Sequence, residues 1–207
     1  DDAKSWLTDS KGYVILGGTS TTASGIETSG TVIGSSATTY TAGKSAVNIT
    51  GSTAADTITG SVKNDTINGL DGNDSIFADA GNDTITFSNI GDTIDGGDGN
   101  DTLVVNADYL SASDDEKFLT NVEIISVTGA THTTDLSKQT EGFVITAATS
   151  TAAQTITGSA GADTITGTSS NDSITSGGGA DIINIALGSD TITDFSAAAD
   201  TLNVSAG

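Results

Sequence analysis

Between Gly51 and Val104 one apolar position returns every nine residues, held in turn by Ile58, Ile67, Ile76, Ile85, Ile94 and Leu103. Most of them stand between polar neighbours, as in Thr57-Ile58-Thr59 and Thr66-Ile67-Asn68. Alternation with period two predicts a short strand whose centre points inward and whose flanks point out. The six residues between strands are rich in Gly, Asn and Asp, which favour turns. Each repeat therefore reads as a six-residue turn followed by a three-residue strand. A second run starts near Thr149 and places Ile156, Ile165, Ile174, Ile183 and Ile192 in the same way. Two repeats would close one coil, with two strands facing across the Ile layer. Successive coils would stack at roughly the 4.8 Å spacing of paired strands. The expected fold is all-β, a right-handed parallel β-roll or β-helix solenoid.

Outside these runs the pattern loosens. Residues 1–50 read as an N-terminal cap, with Trp6 and Tyr13-Val14-Ile15-Leu16 covering an open end, followed by irregular β-coils. Residues 51–104 form the first regular block and 149–207 the second. Between them, 105–148 reads as an irregular β segment with a loop. Its strand signals are Asn121 to Val127 and Gly142 to Thr146. Its only helix-like turn is Asp114-Asp115-Glu116-Lys117 after Ser113, a plausible N-cap.

Composition sharpens the picture. Aromatics make up 4% of the chain and there is no Cys, Pro or Met, so neither a large-residue core nor disulfides can carry stability. A thin solenoid, in which each coil adds a few Ile and Val, suits this composition. The formal charge is -21, which disfavours nucleic acid and anionic membranes as partners. No apolar run approaches the ~20 residues of a membrane span. No basic-then-apolar leader opens the sequence; export without an N-terminal signal peptide, type I-like, is the expectation, beside a signal already removed or a missing upstream region.

The acidity is nearly all Asp, and its placement is regular. The sixth place of the repeat carries Asp56, Asp65, Asp74, Asp83, Asp92 and Asp101, then Asp163, Asp172, Asp181 and Asp190. Gln154 takes that place in the first repeat of the second run, and Asp200 falls one residue out of step. Glycines such as Gly72, Gly81, Gly96, Gly99, Gly161 and Gly179 let the turn backbone adopt positive φ and bring carbonyls together. Carboxylates two repeats apart would then face a nest of oxygens. Calcium accepts six or more oxygen ligands at roughly 2.3–2.6 Å in flexible geometry, whereas magnesium demands a stricter octahedron. Zinc would want Cys or His, and the chain has one His. Several Ca2+ ions are therefore expected. Gly on both sides at the fourth place makes Asp83–Asp101 and Asp163–Asp181 the best pairs. Lys63 beside Asp65 could put an ammonium in place of a cation. The competing structural reading is that each Asp caps its own turn by accepting backbone N–H groups. Against it stands the repulsion of about ten carboxylates stacked in columns a few ångströms apart.

Residues 51–104 and 149–204 resemble the RTX (repeats-in-toxin) calcium-binding family. The repeat GGDGNDTLV, residues 96–104, matches its nine-residue pattern at every defined position. The resemblance implies secretion in one step and folding on meeting extracellular calcium. The Thr/Ser/Ala-rich, Cys-free β segments are further similar to bacterial surface-layer proteins of this type.

No catalytic constellation accompanies these repeats. His132 stands alone among Thr residues, and neither His-Glu-x-x-His nor Gly-x-Ser-x-Gly occurs. A non-enzymatic, structural protein of the bacterial cell surface is expected, self-associating into arrays or filaments. Cell-surface polysaccharide is a possible further partner. The alternative is a calcium-dependent C-terminal module of a larger secreted enzyme, toxin or adhesin.

Overall fold

The structure is a computed structural model. It describes the backbone of residues 7–8, 14–15, 22–26 and 31–33, and residues 39–87, 91–106 and 119–205 in full. Trp6, the helix-like turn at 114–117 and residues 88–90 lie outside these. Among the described residues there are strands and turns but no helix. The chain is an all-β parallel solenoid, divided into two compact units. The first holds residues 1–102 with 118–121, and the second holds 103–117 with 122–207.

In the first unit the strands Thr57–Thr59, Ser75–Phe77 and Thr93–Asp95 lie side by side in one sheet. The strands Asn48–Thr50, Thr66–Asn68 and Thr84–Phe87 form the other. All pair in parallel, with Ile58 against Ile76 against Ile94 and Ile49 against Ile67 against Ile85. Each strand thus pairs with the strand two repeats later, so one coil is two repeats. At the start of the chain Leu7–Thr8 instead pairs antiparallel with Val14–Ile15.

The second unit repeats the design with longer early coils. Ile125 pairs with Ile145 and Thr134 with Ile156, both steps longer than two repeats. From there the step is again two repeats, with Thr155 on Ser173 and Thr164 on Ile182. The last step, Ile182 on Thr201, is longer by a single residue. That extra residue sits in the final turn, so Asp200 re-enters the register that its sequence position leaves.

Burial follows the period-two expectation. In Thr57–Thr59 and Thr66–Asn68 the central Ile is wholly buried and the first residue exposed. Full burial of such a side chain contributes about 1.5–3 kcal/mol. The core is therefore a single layer of Ile, with Tyr40, Phe87, Leu103 and Phe143 among its few large members. The sixth-place Asp residues are buried beside it, from Asp101 at 0% exposed to Asp92 at 5%, except Asp190, which is half-buried. Burying ionised carboxylates is unfavourable unless they are paired or bonded. The turns must therefore supply that compensation.

Candidate metal centre

The first compensation comes from stacking. The Oδ1 of a sixth-place Asp accepts a peptide N–H from the coil before, in most cases that of the sixth-place residue; for Asp65 the donor is Val47 and for Asp163 it is Phe143. Asp74 takes the N–H of Asp56 at 2.9 Å, Asp83 that of Asp65 at 2.7 Å and Asp101 that of Asp83 at 2.7 Å. Asp92 takes that of Asp74 at 3.0 Å. The second unit builds the same ladder, with Asp172 on Gln154, Asp181 on Asp163, Asp190 on Asp172 and Asp200 on Asp181. A side chain with one methylene spans one coil spacing, which is why Asp serves here. The pairs expected from the repeat are thus joined carboxylate to main chain.

The second oxygen, Oδ2, separates the turns into two kinds, and the second place of the repeat decides which. Where that place is Ser or Thr, the turn closes on itself. Ser52 donates its N–H to Asp56 Oδ2 at 2.7 Å and its hydroxyl lies 3.0 Å from the same oxygen. That hydroxyl accepts the N–H of Ala54 at 3.1 Å. Ser61, Ser159 and Thr168 likewise donate their N–H to the Oδ2 of Asp65, Asp163 and Asp172 and take a fourth-place N–H on the hydroxyl, which lies near Oδ1 of Asp65 and near both oxygens of Asp163 and Asp172. Burial, the largest influence, still raises the Asp163 carboxyl above the ordinary range, against the hydrogen bonds from Phe143 and Ser159.

Four further turns have positive φ at the second place, at Leu70 (69°), Asp79 (76°), Gly97 (91°) and Gly177 (96°). Their fourth places, Gly72 (139°), Gly81 (143°), Gly99 (155°) and Gly179 (113°), are also left-handed. In these open turns the Oδ2 atoms of Asp74, Asp83 and Asp181 are buried and accept no hydrogen bond. A buried acceptor left so costs on the order of 1–3 kcal/mol, more when charged. Burial drives the Asp74 carboxyl up to about 6, helped by Asp92 and Asp56 and opposed by the Asp56 N–H. It drives Asp83 up to about 7, opposed by the Asp65 N–H and helped by Asp101, Asp65 and Asp79.

The expected site residues divide accordingly. Asp56, Asp65, Asp163 and Asp172 lie in closed turns, and Asp74, Asp83, Asp101 and Asp181 in open ones. Asp92 continues the ladder from Asp74, and the turn leading to it contains residues 88–90. Asp190 follows Gly188, also left-handed at 120°. Gly161 lacks positive φ; it is required because a Cβ there would sit 2.5 Å from the Glu141 carbonyl carbon. Gly96 is walled in likewise by Asn121 O and by Asp101. The side chain of Lys63 is exposed, and Asp65 takes its bonds from Ser61. The second-place hydroxyls of Ser52, Ser61, Ser159 and Thr168 are the residues that fourth-place glycines do not point to.

Among the described residues no group of three or more Asp, Glu, His or Cys side chains converges. A cation at an open turn would therefore draw its remaining ligands from main-chain carbonyls, as calcium readily does. The donor set fits: buried, hard, anionic oxygens in need of a positive partner.

A family model of the RTX calcium-binding nonapeptide repeat, four copies long, matches residues 50–85, 91–109 and 157–192. These stretches carry RTX repeats. RTX nonapeptide repeats bind calcium and are typical of secreted proteins. The matches take in both closed and open turns, so the RTX pattern alone does not separate them. No curated protein matches the chain significantly. Among the described residues no helix is long and apolar enough to cross a membrane.

Proposed function

We propose that this chain is a non-catalytic, calcium-dependent secreted protein that folds fully only outside the cell and serves as a structural subunit of a bacterial surface layer or filament. The observation that carries the calcium dependence is the buried Oδ2 of Asp74, Asp83 and Asp181, each without a hydrogen bond inside an RTX-type turn. In a cytoplasm poor in calcium these oxygens keep the open turns unfavourable and the acidic chain extended. Outside, calcium binding at Asp74, Asp83, Asp101 and Asp181 becomes folding free energy. Several ions per chain are expected on this basis. Self-association is supported by the surface-layer-like composition; a cell-surface polysaccharide anchor fits the same setting.

The test is circular dichroism and electron microscopy of the secreted protein with calcium and with excess EGTA. Calcium should raise the melting temperature and yield ordered arrays or filaments. An unchanged melt in EGTA would sink the calcium reading. A calcium-dependent melt with particles that stay monomeric would sink the assembly reading and favour a module of a larger secreted protein.

A further inference from the structure

Closed and open turns are not mixed at random. In the first unit both turns of residues 51–68 are closed, by Ser52 on Asp56 and Ser61 on Asp65. The open turns of Asp74, Asp83 and Asp101 follow. In the second unit the turns before Gln154, Asp163 and Asp172 are closed, and that of Asp181, with left-handed Gly177 and Gly179, follows.

Gln154 shows most plainly what closes a turn. Its side chain replaces a carboxylate with a neutral amide. The Nε2 group donates to Ala130 O at 2.7 Å and Ala152 O at 3.1 Å, and lies 3.0 Å from Ser150 Oγ. Oε1 accepts the His132 N–H at 3.0 Å. One amide nitrogen thus gathers carbonyl oxygens from two successive coils, the role a cation would otherwise play. Ser159 acts similarly: its hydroxyl lies 2.5 Å from Glu141 O in the coil before and 3.1 Å from Asp163 Oδ1 in its own turn. These turns have their donors built in.

We propose that each unit contains a calcium-independent template, residues 51–68 in the first and 149–172 in the second, closed by protein donors at the second place and by Gln154. Calcium orders only the open turns that follow, those of Asp74, Asp83 and Asp101 in the first unit and that of Asp181 in the second. The response to calcium is then segmental, and coils add to a preformed end. This rests on the calcium reading above but makes a separate claim about where calcium acts.

The experiment is hydrogen–deuterium exchange by mass spectrometry on the whole chain, in calcium and in excess EGTA. Amides within 51–68 and 149–172 should keep their protection in EGTA, while those within 69–83, 96–101 and 176–181 exchange faster by on the order of tenfold or more. Loss of protection everywhere to the same extent overturns the template and leaves the calcium reading intact. No change in any segment overturns both. The variant Ser159→Gly turns residues 158–163 into Gly-Gly-Ala-Gly-Ala-Asp, an open-type turn. It should remove protection of 149–172 in EGTA, regain it in calcium and bind an additional calcium ion by titration calorimetry. Exchange in EGTA identical to wild type would overturn the role given to the second-place hydroxyl.

Discussion

Replacing Asp83 by Asn should change stability in opposite directions with and without calcium. The Oδ1 of Asp83 accepts the Asp65 N–H at 2.7 Å, and an amide oxygen can keep that bond. The Oδ2 is buried and accepts nothing, and its carboxyl is pushed from 3.8 up to about 7, chiefly by burial. Keeping it ionised at neutral pH without a cation costs about 2–4 kcal/mol, taking 1.36 kcal/mol per pKa unit and discounting for solvent near the turn. Asn removes the charge, and its NH2 can seek carbonyls as the Gln154 amide does. Allowing for imperfect pairing, the metal-free variant should gain about 1–3 kcal/mol. At about 2–4 °C per kcal/mol for a chain of this size, its Tm in EGTA should rise by several degrees. In calcium the same change removes an anionic ligand. A hundredfold weaker site forfeits about 2.7 kcal/mol of linkage stabilisation, and Tm should fall. Calorimetric melts of both proteins at pH 7, in EGTA and in calcium, decide the matter. A shift of the same sign in both would refute the assignment of Asp83 as a carboxylate awaiting a cation.

Three further outcomes follow from the same geometry. With folded carboxyls near 6 for Asp74 and 7 for Asp83, against about 3.9 unfolded, the folded metal-free state holds extra protons between those values. That stabilisation is full below the unfolded pKa and lost as pH rises through 6 to 7. Urea midpoints in EGTA should therefore be higher at pH 5 than at pH 7.5, and the opposite order would refute it. Gly179→Ala forces a Cβ onto a backbone with φ 113° and to 2.5 Å from Gly161 O. It should cost at least about 1–2 kcal/mol in calcium, and an unchanged Tm would contradict the turn geometry. Ser159→Ala should lose about 1–3 kcal/mol with or without calcium, while Asp181→Ala should lose stability chiefly in calcium. Melts in which both variants depend on calcium alike would erase the distinction between closed and open turns.

The repeat was legible because its period is strict. Ile58, Ile67, Ile76 and Ile85 each sit between outward Thr, Ser, Asn or Phe neighbours, and nothing but a parallel stack of coils buries one residue in nine this regularly. Asp at the sixth place was legible as a buried, stacked column for the same reason. Which carboxylates stay unbonded was not legible from the glycines. Gly161 and Gly179 look equivalent in sequence, yet Ser159 closes one turn and Gly177 opens the other. The deciding signal, a hydroxyl two residues before the fourth place, is a single atom that hydrophobic patterning does not weigh. Lys63 misled for a similar reason: its charge stood near Asp65 in sequence, but a fourth-place side chain projects to solvent. Asp200 lay out of step by one residue, and only the looser final turn restores it. The expected cap around Trp6 and the turn at 114–117 fall outside the described residues.

The carboxylate ladder also has a direction. Each Asp reaches back to the N–H of the coil before it, so a finished coil offers sixth-place N–H groups and the next coil supplies the acceptors. The closed coil 51–68 presents the N–H groups of Asp56 and Asp65 to Asp74 and Asp83. The closed turns of the second unit present those of Asp163 and Asp172 to Asp181 and Asp190. At Asp74, Asp83 and Asp181 the acceptors belong to turns that leave Oδ2 without a donor. An open coil docking there gains one bond per carboxylate but still buries a bare Oδ2 at Asp74, Asp83 and Asp181. At Asp83 the burial cost exceeds the bond gained, since its carboxyl stays raised to about 7 with the Asp65 N–H in place. Without metal these carboxylates therefore weigh against docking, and a divalent cation shifts the balance. In a stack where each coil touches only its neighbours, such a balance at one coil sets the fate of every coil that rests on it. Calcium need not build the whole solenoid to control it; it need only tip the first open turns, Gly69 to Asp83 in one unit and Ser176 to Asp181 in the other.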